Sequence, residues 1–263
     1  MNLLVLGTME IRTPGETVRL RGTMKQTLLA TFLAAANKLV TVDALAEELW
    51  GTTPPPKMEN ALQAQISRLR RVLARLEPER AEPRLVTSVS GYRFTVACEE
   101  LDAALFLHTV DTIRVRAGSD PHRDVADLRE ALSLWRGPVF GGLTGGPLCQ
   151  TAAAKYQESR IAALELLYEL ELRTGGYARI IPELTELVRQ NPLQEQFCSL
   201  LMISLYRSGR QIDALSVYRQ LRHRLADDFG IEPSPVLRKC EKAILNHDAM
   251  LLGSEVHRLA ATP

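Results

Sequence analysis

The chain of 263 residues is poor in cysteine and aromatic residues and has no long apolar segment. Its cysteines (Cys98, Cys149, Cys198 and Cys240) include no Cys-x-x-Cys pair, which argues against a zinc ribbon and a disulfide scaffold, so we expect reduced, buried thiols. No uncharged apolar run approaches the ~20 residues of a membrane span. The first charge comes at Glu10 with no basic segment before it, so we expect no secretory signal and a cytoplasmic location.

The chain also has almost no net charge, which at first argues against a nucleic-acid partner. Its 32 Lys and Arg and 31 Asp and Glu give a formal charge of +1. The sum hides an asymmetry, because residues 1–98 hold 13 basic and 9 acidic side chains, whereas residues 99–263 hold 19 and 22. We predict two domains with this boundary, 1–98 and 99–263, and a phosphate-binding surface in the first.

The first fifty residues predict short strands and two helices. Alternating apolar residues around Pro14–Gly15 indicate two strands, and helical spacing over Thr23–Asn37 indicates a helix with Thr23 as its N-cap. A brief strand is predicted at Leu39–Val40. Thr41 should then cap a second helix that ends at Trp50–Gly51.

The third predicted helix, from Met58 to Leu76, combines an apolar stripe with a basic face. The apolar stripe is Leu62, Ile66, Leu69 and Leu73. The segment from Lys57 to Arg75 contains five basic side chains and one acid, Glu59. A predicted hairpin with a turn at Ser90–Gly91 follows. Strands, three helices and a hairpin in this order indicate a winged helix-turn-helix.

In a winged helix the third helix packs through its apolar stripe and enters the DNA major groove with its opposite face. Arg68 is the best candidate for reading a base, because an arginine fork can bind guanine O6 and N7 together. The other candidates on this helix bind base edges or phosphates or allow close approach: Asn60, Ala61, Ala64, Gln65, Arg70 and Arg71. An isolated basic helix is more often a scaffold with a solvated face, but the flanking helices and hairpin favour DNA binding.

Beyond Cys98 the pattern becomes entirely helical. Seven helices are predicted, at Leu101–Val115, Arg123–Leu134, Ala152–Leu172, Ala178–Arg189, Gln194–Arg207, Gln211–Asp227 and Val236–Asn246. Leu172-Arg-Thr-Gly175 recurs 34 residues later as Tyr206-Arg-Ser-Gly209, the tetratricopeptide period. The expected fold is therefore an α+β winged helix-turn-helix domain followed by an all-α, tetratricopeptide-like domain.

No pattern in the chain indicates catalysis. The histidines, including His257, are not spaced as metal ligands, and the glycines at 141–146 lack the Lys-Ser/Thr of a phosphate loop. Ser90 lies in no G-x-S-x-G frame. We expect no enzyme, no cofactor and no metal site.

Several motifs together resemble the Streptomyces antibiotic regulatory protein family. Residues 62–73 (LQAQISRLRRVL), GYRF at 91–94 and LWGTTPPP at 49–56 resemble its OmpR-type winged helix. ALSLWRGP at 131–138, NPLQE at 191–195, RSGRQIDAL at 207–215 and LADDFGIEPS at 225–234 resemble its bacterial transcriptional activator domain. The resemblance implies a transcriptional activator of a secondary-metabolite gene cluster. Such an activator binds direct repeats near a promoter −35 region as a side-by-side homodimer and recruits RNA polymerase.

The resemblance also implies roles for individual residues. Arg68 and Ala64 fall where the OmpR-type helix meets bases, and residues at or near phosphates are Thr41, Trp50, Asn60, Gln65, Ser67 and Arg70. Lys57 is a further DNA-binding candidate. Arg93 is a weak substitute for the wing arginine of many relatives. The loop Thr52, Thr53, Pro54, Pro55 and Pro56 faces polymerase in this family, where the sigma DNA-binding region, the alpha C-terminal domain and the beta flap are the expected contacts.

Two alternatives stay open at this stage. The helical half can be a peptide- or ligand-sensing scaffold whose output is DNA binding, since tetratricopeptide-like stacks form concave grooves. The same DNA contacts can also block polymerase and repress transcription.

Overall fold

The structure, a computed structural model, describes residues 1–116 and 119–251, without the side chain of Met250. The end of the predicted helical domain, 252–263 with His257, lies outside these residues. Two compact units divide the chain: Met1–Val115 with Glu130–Ile161, and Arg116–Arg129 with the residues from Ala162 onward. The first unit therefore extends beyond residue 98, the boundary that the change in charge and pattern predicts.

The first unit begins with a small antiparallel sheet of three strands, β1 (Asn2–Leu4), β2 (Glu10–Arg12) and β3 (Thr17–Val18). Pro14–Gly15 connects β2 and β3, as the sequence predicts. The two predicted strands around this turn are present as β2 and β3, but the prediction missed β1, which pairs with β2 and buries Leu3 completely.

Three helices follow: α1 (Thr23–Ala34), α2 (Val42–Trp50) and α3 (Met58–Leu76). The predicted cap of α2 is confirmed, since the Thr41 hydroxyl accepts a hydrogen bond from the Ala44 amide at 3.2 Å. The predicted cap of α1 was wrong: Thr23 is already helical, Gly22 precedes it, and no side chain caps the helix. Gly22 has φ of 92°, a conformation that glycine adopts without strain.

A second sheet of three antiparallel strands forms the wing. Its strands are β4 (Leu39–Thr41), β5 (Leu85–Ser88) and β6 (Gly91–Phe94), in the order β4-β6-β5. The hairpin turn consists of Val89 and Ser90, one residue earlier than predicted. Gly91 is the first residue of β6 and pairs with Ser88, and glycine is needed there because a Cβ would overlap the carbonyl oxygen of Val40.

All seven helices predicted beyond Cys98 are present. Their bounds are α4 (Asp102–Arg116), α5 (Pro121–Ser133), α6 (Pro147–Arg173), α7 (Ile181–Gln190), α8 (Glu195–Arg207), α9 (Gln211–Phe229) and α10 (Pro235–Leu245). In the first unit, the buried Asp102 accepts hydrogen bonds from the Val5 and Leu6 amides at 2.8 and 3.1 Å. This contact ties the start of α4 to the N-terminal sheet and explains why the first unit extends past residue 98.

In the second unit successive helices pack on one another, α7 on α8, α8 on α9, and α10 on both α8 and α9. Phe197, Leu201 and Leu225 are buried between them. The fully buried Glu171 carboxylate is neutralised by Arg129 and Arg179 at 2.7 and 2.6 Å. The predicted all-helical, tetratricopeptide-like architecture is confirmed.

The cysteines are free thiols, as predicted, and Cys149, Cys198 and Cys240 are buried. The prediction of burial was wrong for Cys98, which is exposed at the end of the wing sheet. It follows the last core residue of that segment, Val96, after the hairpin has ended.

Candidate nucleic-acid interface

The recognition helix α3 has the two faces that its sequence predicts. Leu62, Ile66 and Leu69 are each 1% exposed and Leu73 is 5% exposed, so the apolar stripe lies in the core. This face contacts α1 and α2. Burial of four large side chains fixes the rotation of α3 about its axis and determines which residues reach solvent.

The opposite face of α3 is exposed and basic. The predicted contact residues that are exposed here are Lys57, Asn60, Ala64, Ser67, Arg68 and Arg71. Neither Arg68 nor Arg71 forms an ion pair with any residue that the structure describes. By contrast, Arg75 on the same helix is paired with Glu16 at 2.8 Å. The guanidinium groups of Arg68 and Arg71 are therefore available to an external anion.

Two predicted contacts on α3 lie at the border of this face. Ala61 and Gln65 are half-buried. The Oε1 atom of Gln65 is buried and has no hydrogen-bond partner among the described residues. Both residues are therefore less accessible than Asn60 and Ala64, which precede each of them by one position.

Arg70 is bound to the wing. Its Nε donates to the Leu85 carbonyl at 3.0 Å, and its terminal nitrogen donates to the Thr87 hydroxyl at 2.7 Å. The guanidinium carbon also lies 5.9 Å from the centre of the Tyr92 ring. These contacts join the recognition helix to the hairpin, a role that the sequence pattern did not indicate; a phosphate contact by Arg70 stays a prediction.

The predicted contacts outside α3 lie on neighbouring elements. Thr41 is exposed at the start of α2, Trp50 is half-buried at its end, and Arg93 is exposed on β6. The wing tip carries an apolar side chain, Val89, which is 108% exposed. The tip of the wing is therefore valine, and Arg93 lies on the strand β6 and not at the tip.

The predicted polymerase loop connects α2 to α3. Thr52, Thr53, Pro54 and Pro56 are exposed and Pro55 is half-buried. The Thr53 amide donates to the Trp50 carbonyl at 3.2 Å, which holds the start of the loop against the end of α2. Three consecutive prolines stiffen the remainder.

Sequence reasoning missed one residue next to this loop, Glu48. It is 5% exposed, and its carboxylate accepts hydrogen bonds from the Gly146 amide at 2.9 Å, from the Leu148 amide and from the Thr31 hydroxyl at 3.3 Å. Glu48 thereby caps the N-terminus of α6, where a helix favours negative charge. The sequence did contain a signal for the burial of Glu48: it lies three residues after Leu45 and so shares the buried face of α2.

A buried cluster of ion pairs around Arg84 supports the wing. The Arg84 side chain is 1% exposed and pairs with Glu77 and Glu100, each at 2.5 Å. Hydrogen bonds from Arg84 lower the pKa of Glu77, and they lower the pKa of Glu100 to about 2. Desolvation opposes the charge of Arg84, but the two carboxylates outweigh it and raise its pKa. This cluster fixes the connection between α3 and β5.

The described residues contain no group of His, Cys, Asp or Glu side chains that could hold a metal ion. Within the same residues, no helix is both long enough and apolar enough to cross a membrane.

Comparisons with known proteins agree with this architecture. Residues 101–245 match the family described as bacterial transcriptional activator domain, and residues 15–94 match that described as transcriptional regulatory protein, C terminal. The chain is 41% identical to the transcriptional regulator RedD of Streptomyces coelicolor over 94% of its own length and 71% of RedD. It is 32% identical to the regulatory protein DnrI of Streptomyces peucetius, over 94% of its own length and 93% of DnrI.

Two further similarities concern longer proteins. The chain is 36% identical to the regulatory protein AfsR of Streptomyces coelicolor, over 94% of its own length but only 24% of AfsR. A solved structure of Mycobacterium tuberculosis EmbR, in complex with a low-affinity phosphopeptide, matches with a TM-score of 0.88 and 28% identity. This match covers 98% of the chain and 69% of EmbR.

A winged helix-turn-helix with a basic recognition helix, followed by an all-helical domain of this type, defines a DNA-binding transcriptional regulator. The chain belongs to the Streptomyces antibiotic regulatory protein family, in which an OmpR-type domain precedes a bacterial transcriptional activator domain.

Proposed function

We propose that this protein is a sequence-specific transcriptional activator that binds direct repeats near a promoter −35 region and recruits RNA polymerase to a secondary-metabolite gene cluster. The observation that carries the proposal is the solvent face of α3, where Arg68 and Arg71 have no intramolecular ion pair among the described residues. On this proposal the protein acts in the cytoplasm, on the nucleoid, and needs no cofactor or metal.

On DNA, α3 enters the major groove with Arg68 directed at a base and Ala64 permitting close approach. Asn60, Ser67 and Arg71 lie on the same exposed face and reach the flanking bases or phosphates. Further backbone contacts come from the border of α3, at Ala61, Gln65 and Arg70, and from residues outside this helix: Thr41, Trp50, Lys57 and Arg93. Direct repeats place two protomers side by side in one orientation, their α3 helices about one DNA turn, ~10 to 10.5 bp, apart.

Polymerase contacts come from the loop Thr52, Thr53, Pro54, Pro55 and Pro56. This loop is largely exposed and follows α2 directly, while the DNA-directed face belongs to α3. The sigma DNA-binding region, the alpha C-terminal domain and the beta flap are the proposed partners.

Base reading is tested on an operator selected from a random duplex library. Arg68→Ala should weaken binding to that operator by about 1–3 kcal/mol and relax sequence preference, because a bidentate arginine contact discriminates between bases. Arg75→Ala is the matched control, since Arg75 lies on the same helix but is paired with Glu16. Equal losses on operator and random duplex for Arg68→Ala would refute base reading.

Activation is tested by reconstituted transcription on a promoter that carries tandem copies of the operator. The wild-type protein should raise the transcript level. Replacement of Thr53 and Pro54 by alanine should abolish this increase while operator affinity stays unchanged, because the loop is separate from the α3 face. A transcript that falls on addition of the wild-type protein would identify a repressor instead.

A further inference from the structure

A groove of about 500 Å³ lies between the C-terminal half of α3 and strand β5. Its floor is formed by Leu73 and Leu85, which are 5% and 1% exposed. Ala74, Pro83 and Val86 form the apolar rim. The volume lies within the range of about 300–1,000 Å³ that small-molecule sites occupy, and such sites are mostly apolar.

Ion pairs hold one side of the groove in place. The connection from Glu77 to Arg84 lines the groove, and the buried Arg84 side chain pairs with Glu77 and with Glu100. A ligand therefore meets a preformed site and does not have to order the loop, which lowers the cost of binding.

One end of the groove carries a positive charge without a counterion. Arg70 borders the groove, and its guanidinium forms hydrogen bonds only with neutral oxygens, those of Leu85 and Thr87. No carboxylate of the described residues lies within ion-pair distance of it. An anion placed there gains a charge-assisted hydrogen bond from the remaining N–H groups.

We propose that this groove binds a small amphipathic anion, with a flat apolar body on Leu73, Leu85 and Val86 and a single carboxylate or sulfonate at Arg70. Binding weakens the contact of the protein with DNA, because the anion occupies the remaining N–H groups of Arg70, which the proposed function assigns to the DNA backbone. This second statement rests on the proposed DNA-binding function, whereas ligand binding in the groove does not.

The binding part is tested by fluorescence titration with two probes of the same apolar body. 1-Anilinonaphthalene-8-sulfonate carries one negative charge and N-phenyl-1-naphthylamine carries none. The sulfonate should bind the wild-type protein saturably at one site and about tenfold more tightly than the neutral probe, the ratio that corresponds to ~1.4 kcal/mol. Arg70→Gln should remove that preference for charge.

Filling the groove is the second arm of the test. Ala74 is exposed on α3, so Ala74→Phe should leave the fold intact while it occupies the groove and weakens both probes at least tenfold. The control is Ala154→Phe at an exposed position of α6, outside the groove, and it should leave both affinities unchanged. Probe binding that survives Ala74→Phe, or that is absent from the wild-type protein, would overturn the site.

The regulatory part is tested by operator binding in the presence of the sulfonate probe. The affinity for the operator should fall as the groove fills, and it should not fall in Ala74→Phe. An operator affinity that stays the same when the probe is bound would overturn the coupling, whereas the groove site would remain supported. Failure of the protein to bind any duplex would refute the proposed function without affecting the probe titration.

Discussion

Replacement of Glu48 should destabilise the protein strongly although the residue lies outside the proposed DNA contacts. Its carboxylate accepts hydrogen bonds from the Gly146 and Leu148 amides at the N-terminus of α6 and from the Thr31 hydroxyl. Glu48→Ala removes both acceptor oxygens, and with them all three hydrogen bonds, at a site that is 5% exposed. Each buried donor left without a partner costs about 1–3 kcal/mol.

Two effects reduce the summed cost of these unsatisfied donors. Leu148 is 37% exposed, so water can reach its amide once the carboxylate is gone, whereas Thr31 is fully buried and can still donate to the Thr27 carbonyl. We therefore expect Glu48→Ala to lower the free energy of unfolding by about 2–4 kcal/mol. Glu48→Gln retains one carbonyl acceptor but loses the charge that the helix terminus favours, so a loss of about 1–2 kcal/mol is expected.

Urea unfolding followed by circular dichroism measures both losses. Glu47→Gln is the matched control, because Glu47 is exposed and adjacent in α2, and it should change the free energy of unfolding by no more than ~0.5 kcal/mol. A local readout is the Cys149 thiol, which is fully buried and whose pKa burial raises to about 12. With the exposed Cys98 replaced by serine in both proteins, Cys149 should react faster with a thiol reagent when Glu48→Gln is present than when Glu48 is retained. If Glu48→Gln matched Glu47→Gln in both assays, the capping argument would fail.

Three further predictions concern the DNA-binding unit. Arg71→Ala should weaken operator and random duplex alike and reduce the slope of log K against log salt by about 0.9, the value for one phosphate contact; an unchanged slope contradicts it. Arg70→Lys keeps the charge but cannot donate to both Leu85 and Thr87, so urea unfolding should show a loss of about 1–2 kcal/mol, and a wild-type curve would exclude the tie to the wing. The pKa of Glu100 is about 2 in the fold against an ordinary 4.5, so its stabilisation is complete above 4.5 and is lost as the pH falls towards 2. Glu100→Gln should therefore flatten the acid limb of stability against pH, and a limb as steep as wild type would count against this origin.

Periodicity predicted the presence of the helices well because the regular spacing of their apolar residues marks each buried face. The bounds of α3 agree with the structure at both ends, since its apolar stripe is continuous and it follows three prolines that cannot continue the preceding helix. The start of α6 was predicted at Ala152, five residues too late. Its first turn is held by Glu48, which is about a hundred residues away in sequence, and no local pattern contains that partner.

Part of the candidate site could also be predicted from the spacing of residues along the sequence. Exposure of Asn60, Ala64 and Arg68 follows from the position of the buried stripe, so their common face could be deduced from spacing alone. The contact of Arg70 with the hairpin could not, because it depends on where β5 lies after the connection from Glu77 to Arg84. The place of Gly91 likewise depends on Val40 of another strand, so local turn preference put the turn one residue too late.

Helix α2 links these features within one compact unit. Thr41 caps its first turn beside the wing strand β4, and Glu48 in its last turn caps α6. The loop proposed to contact polymerase begins directly after it, and the Thr53 amide donates a hydrogen bond to the Trp50 carbonyl. A displacement of the α6 N-terminus must therefore either break the Glu48 hydrogen bonds or move α2, and with α2 the start of the loop. If α2 moves together with the α6 N-terminus, Glu48→Gln should reduce transcript activation more than operator affinity. A variant that loses activation and operator affinity in equal proportion would show a loss of fold alone.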